Sequence, residues 1–174
     1  VFTVVSPSQP YRPAPPNITS ALYTDDGSGF TVWFDVATDM ASNAIGSAFP
    51  CSSLLQFRGS DFASCIWTSP TILQIRPSGT QRPGNNDKVT LLGGKLRAHC
   101  ISSEPSVCSA YVCSTSQALT VGPPANPISP VVLVSAPSTI GPCTSFYLDL
   151  SRSRGHMYMS WTSVTITVSR NGSS

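Results

Sequence analysis

Four prolines within eight residues divide this chain in two. They are Pro123, Pro124, Pro127 and Pro130. Because a proline ring fixes φ and removes the backbone N–H, neither a helix nor a β-ladder continues through such a run. The β-branched runs on either side, 117–121 and 131–134, each predict a strand. We therefore expect one domain over residues 15–121, a proline-rich joint over 122–130, and a second domain over 131–174.

The first domain has short runs of alternating apolar and polar residues at roughly ten-residue spacing, which is typical of an antiparallel β-sandwich. In the clearest run, residues 30–37, one face is apolar and the other carries Trp33. The apolar face, which we assign to the core, consists of Phe30, Val32, Phe34 and Val36. The predicted strands are residues 18–23, 30–37, 54–57, 65–68, 72–75, 89–92, 96–100 and 117–121.

Turn-forming residues separate these strands. Residues 25–29, Asp-Asp-Gly-Ser-Gly, predict a hairpin turn in preference to a Ca²⁺ loop, because the every-second-residue ligand spacing is missing. Gly93 and Gly94 predict a two-residue hairpin loop between runs 89–92 and 96–100. We expect residues 39–50 to form a loop with a short helical turn, and residues 102–116 a loop held by cysteines.

The two ends of the chain resemble the end of the first domain. Residues 1–14 hold a β-branched run followed by prolines, so they predict the last strand of a preceding module plus a linker. We expect residues 1–5 not to pair within the 15–121 sheet. At the other end, residues 163–168 predict a third similar strand, with no joint after it. Residues 131–174 offer only about four strands, too few to bury both faces of a sandwich. The alternative to repeating module ends is that β-branched runs recur near prolines by chance.

The six cysteines predict disulfides and an oxidising compartment. Their number is even, they lack paired C-x-x-C spacing, and only 10% of the chain is charged. They are Cys51, Cys65, Cys100, Cys108, Cys113 and Cys143. We expect Cys51–Cys65 and Cys100–Cys108 to pair, which leaves Cys113 and Cys143 to bridge the joint. With no signal peptide and no apolar run of membrane-spanning length, we expect a piece of something larger.

Catalysis, cofactor binding and metal binding are not expected. The formal net charge of +2 is too small to predict binding to nucleic acid or to a membrane surface, and no phosphate-binding glycine loop of known type is present. The two histidines, His99 and His156, have no nucleophile motif between them. The eight acids lie mostly in turns, and the basic run 151–155 predicts a solvated loop.

Three residues are candidates for modification or contact. Asn17 and Asn171 each begin an N-glycosylation sequon. Trp33 is an interaction candidate, because a large aromatic on the outer face of a sheet suggests contact with a partner. The alternative is that the 39–50 loop folds over it.

Residues of the second half resemble a known module. Residues 136–143 read Ala-Pro-Ser-Thr-Ile-Gly-Pro-Cys, residues 148–151 read Leu-Asp-Leu-Ser, and a tryptophan follows at 161. In this order they resemble the opening of a REJ (receptor for egg jelly) module, found in sperm receptors, polycystin-like proteins and algal ciliary surface proteins. The resemblance stops after Ser153, where the family has a glycine-rich turn. Residues 15–121 are similar to the Ig-like segments that precede REJ modules in algal polycystin-like proteins.

The resemblance implies an all-β chain: an Ig-like antiparallel β-sandwich followed by a second, partial β-sandwich of REJ-like type. It further implies a non-catalytic structural and adhesion module of a large extracellular or cell-surface protein, including ciliary or flagellar ones. The expected partners are other protein modules or copies of the same assembly. Membrane contact would come only through parts of the parent protein outside this sequence.

Two other functions stay open. A carbohydrate-binding module would use solvent-facing aromatics as sugar platforms, and a secreted hydrolase is the third option. Three coplanar aromatics in a groove would favour sugar binding, whereas a flat aromatic patch would favour a protein partner.

Overall fold

The computed structural model describes residues 12–84, 86–141, 143–154 and 163–167. The strand expected at residues 1–5 lies outside these ranges, as do His156, Trp161 and Asn171. The chain divides into two units, and the division falls between Pro127 and Ile128, inside the proline-rich joint.

The described part of the first unit is built from eight strands. They are β1 Ile18–Tyr23, β2 Phe30–Phe34, β3 Ala48–Pro50, β4 Leu55–Gln56, β5 Ala63–Ser69, β6 Ile72–Pro77, β7 Lys88–Leu91 and β8 Gln117–Thr120. One short α-helix, α1 Pro105–Ser109, and three 3-10 turns, Met40–Ser42, Cys51–Ser53 and Ser60–Phe62, lie between them. The described chain is therefore predominantly β.

The strands form two antiparallel sheets. The five-stranded sheet has the order β1-β2-β6-β5-β3, and the three-stranded sheet has the order β4-β7-β8. The two sheets are joined along one side, where Tyr23 at the end of β1 donates its N–H to the carbonyl of Gly122, just after β8, at 3.1 Å. All-β architecture is thus confirmed.

A single apolar core lies between the sheets, because β2, β5, β6 and β7 bury alternate residues. The core of the five-stranded sheet includes Phe30, Val32, Phe34, Ala63, Cys65, Trp67, Leu73 and Ile75, and the three-stranded sheet adds Leu55, Val89 and Leu91. Phe30 meets Phe57 edge-on with ring centroids 5.2 Å apart, and the rings of Phe34 and Trp67 lie 5.4 Å apart. Each large side chain buried in this way contributes roughly 1.5–3 kcal/mol.

Three predicted elements differ in the structure. The strand expected at 30–37 ends at Phe34, because Asp35 turns away to bind Asn17. Val36, which was expected in the core, therefore lies beyond β2 and is only half-buried. The hairpin expected around Gly93–Gly94 is wrong: β7 is already paired with β4 on one edge and β8 on the other. Residues 96–100 instead lie alongside the loop that comes after β2, and His99 donates its N–H to the carbonyl of Ala37 at 2.8 Å.

The loop expected at residues 39–50 contains structure that its sequence does not suggest. Its short turn, Met40–Ser42, has left-handed φ angles of 53°, 49° and 63° at three non-glycine residues. Asp39 holds this turn, because one carboxylate oxygen accepts the N–H groups of Ala41 at 3.1 Å and of Arg97 at 3.0 Å. The same loop then supplies β3, which pairs with β5 at the sheet edge.

The second unit has no extended strand and no buried side chain in its described residues, 128–141, 143–154 and 163–167. The strand expected at 131–134 is reduced to isolated antiparallel bridges, Val131 with Arg154 and Ser135 with Asp149. Of the strand expected at 163–168, the described residues, 163–167, form none. Within the ranges described for this unit, the two short paired segments have no second layer against which to bury their apolar side chains.

Candidate interaction surfaces

Trp33 lies on the outer face of the five-stranded sheet, as the alternation of β2 predicts. Its neighbours in the core-facing set, Phe30, Val32 and Phe34, are at most 5% exposed, whereas Trp33 is half-buried. Across the sheet it pairs with Ser20 of β1 and Ile72 of β6. It is the only aromatic residue on the outer face of these five strands, all of which are described.

The middle of this outer face consists of uncharged residues, with Arg76 at its margin donating to Gln74 Oε1 at 3.4 Å. A row of cross-strand neighbours crosses all five strands: Leu22, Thr31, Gln74, Ile66 and Ala48. Antiparallel sheets commonly leave one face to solvent, and such faces are usually polar. This face is instead a mixture of apolar and polar side chains around one tryptophan.

Asn17, the first sequon residue, is exposed at the entry to β1. Its side-chain amide donates to a carboxylate oxygen of Asp35 at 2.8 Å and its side-chain oxygen accepts from the amide of Gln117 at 2.9 Å. An N-linked glycan leaves one N–H on the amide nitrogen, so the bond to Asp35 is compatible with glycosylation.

The two disulfides are the pairs expected from the sequence. Cys51–Cys65 joins the turn after β3 to β5 and has a sequence separation of 14, while Cys100–Cys108 spans 8 residues in the loop that carries α1. In the chain-entropy account, a loop of about 15 residues corresponds to roughly 3 kcal/mol of stabilisation. Cys51 and Cys65 are fully buried, so this staple is also part of the core.

Cys113 and Cys143, which were expected to bridge the joint, are both free thiols in this structure. Cys113 is half-buried, and its Sγ accepts the Nε–H of Arg97 at 3.2 Å. Cys143 is exposed. The two residues belong to different units, and Cys113 is held within its own unit by the Arg97 contact.

The described residues that could take part in catalysis are not brought together. His99 is exposed, and its hydrogen bond to the described chain is made by its backbone N–H. Hydrogen bonds from the backbone and then the side chain of Ser151 lower the pKa of Asp149. Within the described ranges, no group of three or more histidines, cysteines or acids is placed to hold a metal ion.

The acidic turn at residues 25–29 is the hairpin connection between β1 and β2. Asp26 accepts hydrogen bonds from Thr24 Oγ1 at 2.6 Å, Ser28 Oγ at 2.7 Å and the Ser28 N–H at 3.0 Å. These bonds, with that of Thr24 the largest, lower the pKa of Asp26. Asp25 caps the backbone N–H of Asn126 at 2.9 Å. Both carboxylates therefore have partners inside the turn or beside it.

The second unit carries an exposed segment, Val131–Ser135, whose apolar part, residues 131–134, was predicted to be a strand. The exposed fractions are 52% for Val131, 62% for Val132, 40% for Leu133 and 57% for Val134. Beside it lies a cleft of about 380 Å³ lined by Leu133, Ser151, Arg152 and Arg154. Sequence reasoning treated the basic run as a solvated loop and missed this cleft. The sequence feature that could have indicated the cleft is the pair Arg152 and Arg154, separated by one residue.

Among the residues that the structure places, no helix is long and apolar enough to span a bilayer. Comparison of the chain with protein-family models, with curated proteins and with solved structures finds no match. The functional reading consequently depends on the surfaces described above.

Proposed function

We propose that the first unit is an Ig-like domain. The order β1-β2-β6-β5 in one sheet and β4-β7-β8 in the other corresponds to strands A-B-E-D and C-F-G of constant-type Ig domains, with β3 as an additional edge strand beside D. The domain differs from antibody domains in its disulfide. Cys51–Cys65 joins the end of the additional strand β3 to β5 (strand D), whereas the disulfide of antibody domains joins strands B and F.

The chain acts as a non-catalytic structural and interaction module. The observation that carries this proposal is a contrast between the units. The large exposed apolar residues of the first unit, Ile45, Phe62, Ile101 and Val112, are scattered singly, whereas the second unit leaves the consecutive run Val131–Val134 40–62% exposed. Exposed apolar runs of this kind in a β-protein usually mark a contact site. The first unit then serves as a spacer that carries the second.

An extracellular or cell-surface location belongs to the same proposal. Two disulfides fit an oxidising compartment, and the resemblance of residues 136–151 to REJ modules suggests a polycystin-like parent of ciliary or flagellar type. Partners are then other protein modules. A glycan partner has less support, because the outer sheet face offers one tryptophan and no aromatic groove.

The test is a pair of binding screens with the secreted, biotinylated 174-residue chain. One array carries glycans and the other carries extracellular protein domains. We expect saturable binding to a protein domain and none to glycans. Glycan binding that is lost in Trp33→Ala and kept in Phe62→Ala would instead support the carbohydrate-binding function; Phe62 is 62% exposed and lies outside the outer sheet face.

A further inference from the structure

In the extended segment Val131–Ser135, the N–H and C=O groups of residues 131, 133 and 135 all point toward residues 149–154. Val131 exchanges two backbone hydrogen bonds with Arg154, both at 2.9 Å, and Ser135 exchanges two with Asp149, both at 2.9 Å. Between them, the Ser153 hydroxyl accepts the N–H of Leu133 at 3.1 Å and donates to its carbonyl at 3.2 Å. Residues 131, 133 and 135 are thus satisfied on the side of residues 149–154.

The backbone groups of Val132 and Val134 point the other way, because N–H and C=O directions alternate along an extended segment. No described residue makes a hydrogen bond to them. Their side chains are 62% and 57% exposed. An unpaired, uncharged, β-branched edge is what an additional strand requires, and natural proteins normally block such an edge with charges or proline.

One face of the same two segments is positively charged. Arg154 shares a face with its partner Val131, and Leu133 lies on that face too, two residues along. The cleft there is lined by Leu133, Ser151, Arg152 and Arg154. Neither guanidinium forms an ion pair or hydrogen bond with a described residue, and the nearby carboxylate of Asp149 accepts the N–H of Ser151 at 2.8 Å.

We propose that this edge binds an extended peptide segment of a partner protein by strand addition, with acidic side chains of that segment facing Arg152 and Arg154. The proposal rests on the proposed interaction function and names its site and partner chemistry. An added strand would lie about 10 Å from residues 149–154, two strand spacings away. Long Glu and Arg side chains meet across Leu133 at that separation, and an Arg–carboxylate pair is the favoured contact.

Charge argues against a second copy of this chain as the occupant. Two edges paired antiparallel would bring apolar residues and the arginines of both copies to one sheet, and the run 131–135 contains no acid. A second copy therefore brings no carboxylate on its 131–135 run to face Arg152 and Arg154. A partner segment that contains acidic residues supplies this contact.

The experiment uses the full chain and a fluorescein-labelled peptide of about ten residues, long enough for one strand, with alternating Val and Glu. Matched peptides carry Gln or Lys in place of Glu. Two further Glu peptides are N-methylated, one at every Val and the other at every Glu. Binding is followed by fluorescence anisotropy, and exchange of the Val132 and Val134 amide hydrogens by NMR.

We expect the Glu peptide to bind most tightly and the Lys peptide least. Arg152→Gln with Arg154→Gln should raise its Kd about fivefold, the size expected for two exposed ion pairs. The matched control, Arg58→Gln with Arg76→Gln in the first unit, removes the same charge and should leave Kd unchanged. One N-methylated peptide should lose binding and the other keep it, and the Val132 and Val134 amides should become protected.

Three results would overturn the inference. They are equal tolerance of both N-methylated peptides, unchanged exchange at Val132 and Val134 on binding, and a dimer in light scattering that itself protects these two amides. A domain partner from the array whose binding is unaffected by Arg152→Gln and Arg154→Gln would also remove it, while leaving the proposed function in place.

Discussion

Asn17 and Asp35 form a reciprocal clamp at the end of the five-stranded sheet. The backbone N–H and the side-chain amide of Asn17 donate to the two carboxylate oxygens of Asp35, each at 2.8 Å, and the Asp35 N–H donates to the Asn17 carbonyl at 3.1 Å. Gln117, at the start of β8, joins them by accepting the N–H of Ile18 at 2.9 Å. The clamp thereby ties β1 and the end of β2 to the three-stranded sheet.

Loss of this clamp should be measurable. Asp35→Ala removes a charged acceptor from two hydrogen bonds, so we expect the free energy of unfolding to fall by about 1–2 kcal/mol. Asp61→Ala is the matched control, because Asp61 is exposed in the Ser60–Phe62 turn, and should change it by less than about 0.5 kcal/mol. Urea unfolding measures both, and equal effects would contradict a specific role for Asp35.

Gly29 should be intolerant of a side chain, unlike Gly27 in the same turn. A Cβ at Gly29 would lie 2.1 Å from the carbonyl oxygen of Ile75, whereas a Cβ at Gly27 meets nothing within 4 Å and costs only its left-handed φ of +67°. We expect Gly29→Ala to lower the free energy of unfolding by about 2–4 kcal/mol and Gly27→Ala by about 1 kcal/mol. A larger loss of unfolding free energy for Gly27→Ala than for Gly29→Ala, in thermal or urea unfolding, would contradict the close contact between Gly29 and the Ile75 carbonyl of β6.

The two tryptophans of the first unit should differ in both exposure and stability. In a Trp161→Phe background, we expect iodide to quench Trp33 and to leave Trp67, which is fully buried, protected. Trp67→Ala should cost about 3–5 kcal/mol of unfolding free energy, and Trp33→Ala about 1 kcal/mol or less. Full protection of Trp33 would mean that another part of the chain covers it.

Tyr23 should make stability depend on alkaline pH. Burial, and secondarily the charge of Asp87, raise the pKa of Tyr23 above its ordinary value of 10.0. Its hydroxyl donates toward the carbonyl oxygens of Pro83 at 2.8 Å and Gly84 at 3.1 Å. Because the folded state keeps this proton more strongly, the contribution is complete below about pH 10 and is lost as pH rises through the folded-state pKa.

The measurement for Tyr23 is urea unfolding from pH 7 to pH 11. Tyr23→Phe should be less stable than the parent at neutral pH, by about 1 kcal/mol, and this difference should shrink above pH 10. Tyr147→Phe is the control, since Tyr147 is 86% exposed, and its difference should stay near zero. A Tyr23→Phe difference that is constant with pH would show that the phenol does not couple to folding.

Local patterns predicted the features that depend on neighbouring residues in sequence. Period-two alternation placed Phe30, Val32 and Phe34 in the core and Trp33 outside, and short loops favoured the two staples that the structure contains. The predicted Gly93–Gly94 hairpin was wrong because β7 pairs with β4 and β8, which are distant from it in sequence. β3 was missed since Pro50 and Gly46 indicate a loop, while its stability comes from pairing with β5.

The candidate edge was only partly predictable for the same reason. The composition of Val131–Ser135 indicated a strand that needs partners, but the position of Ser153 opposite Leu133 and of the arginines on one face depends on how residues 149–154 fold back. An irregular return segment, with one extra residue between its two bridges, shows no periodicity. The proposed role of the Val131–Ser135 edge therefore follows only from the pairing in the structure.

The two free thiols should react at different rates in the folded chain. We expect iodoacetamide to modify Cys143 first, because it is exposed, and Cys113 slowly, because it is half-buried. Modification in urea, which exposes both thiols, is the control and should make the two rates similar. Mass spectrometry of non-reduced peptides gives the sites and rates. Recovery of a Cys113–Cys143 peptide from untreated protein, with no thiol modified, would show instead that the cysteines bridge the two units.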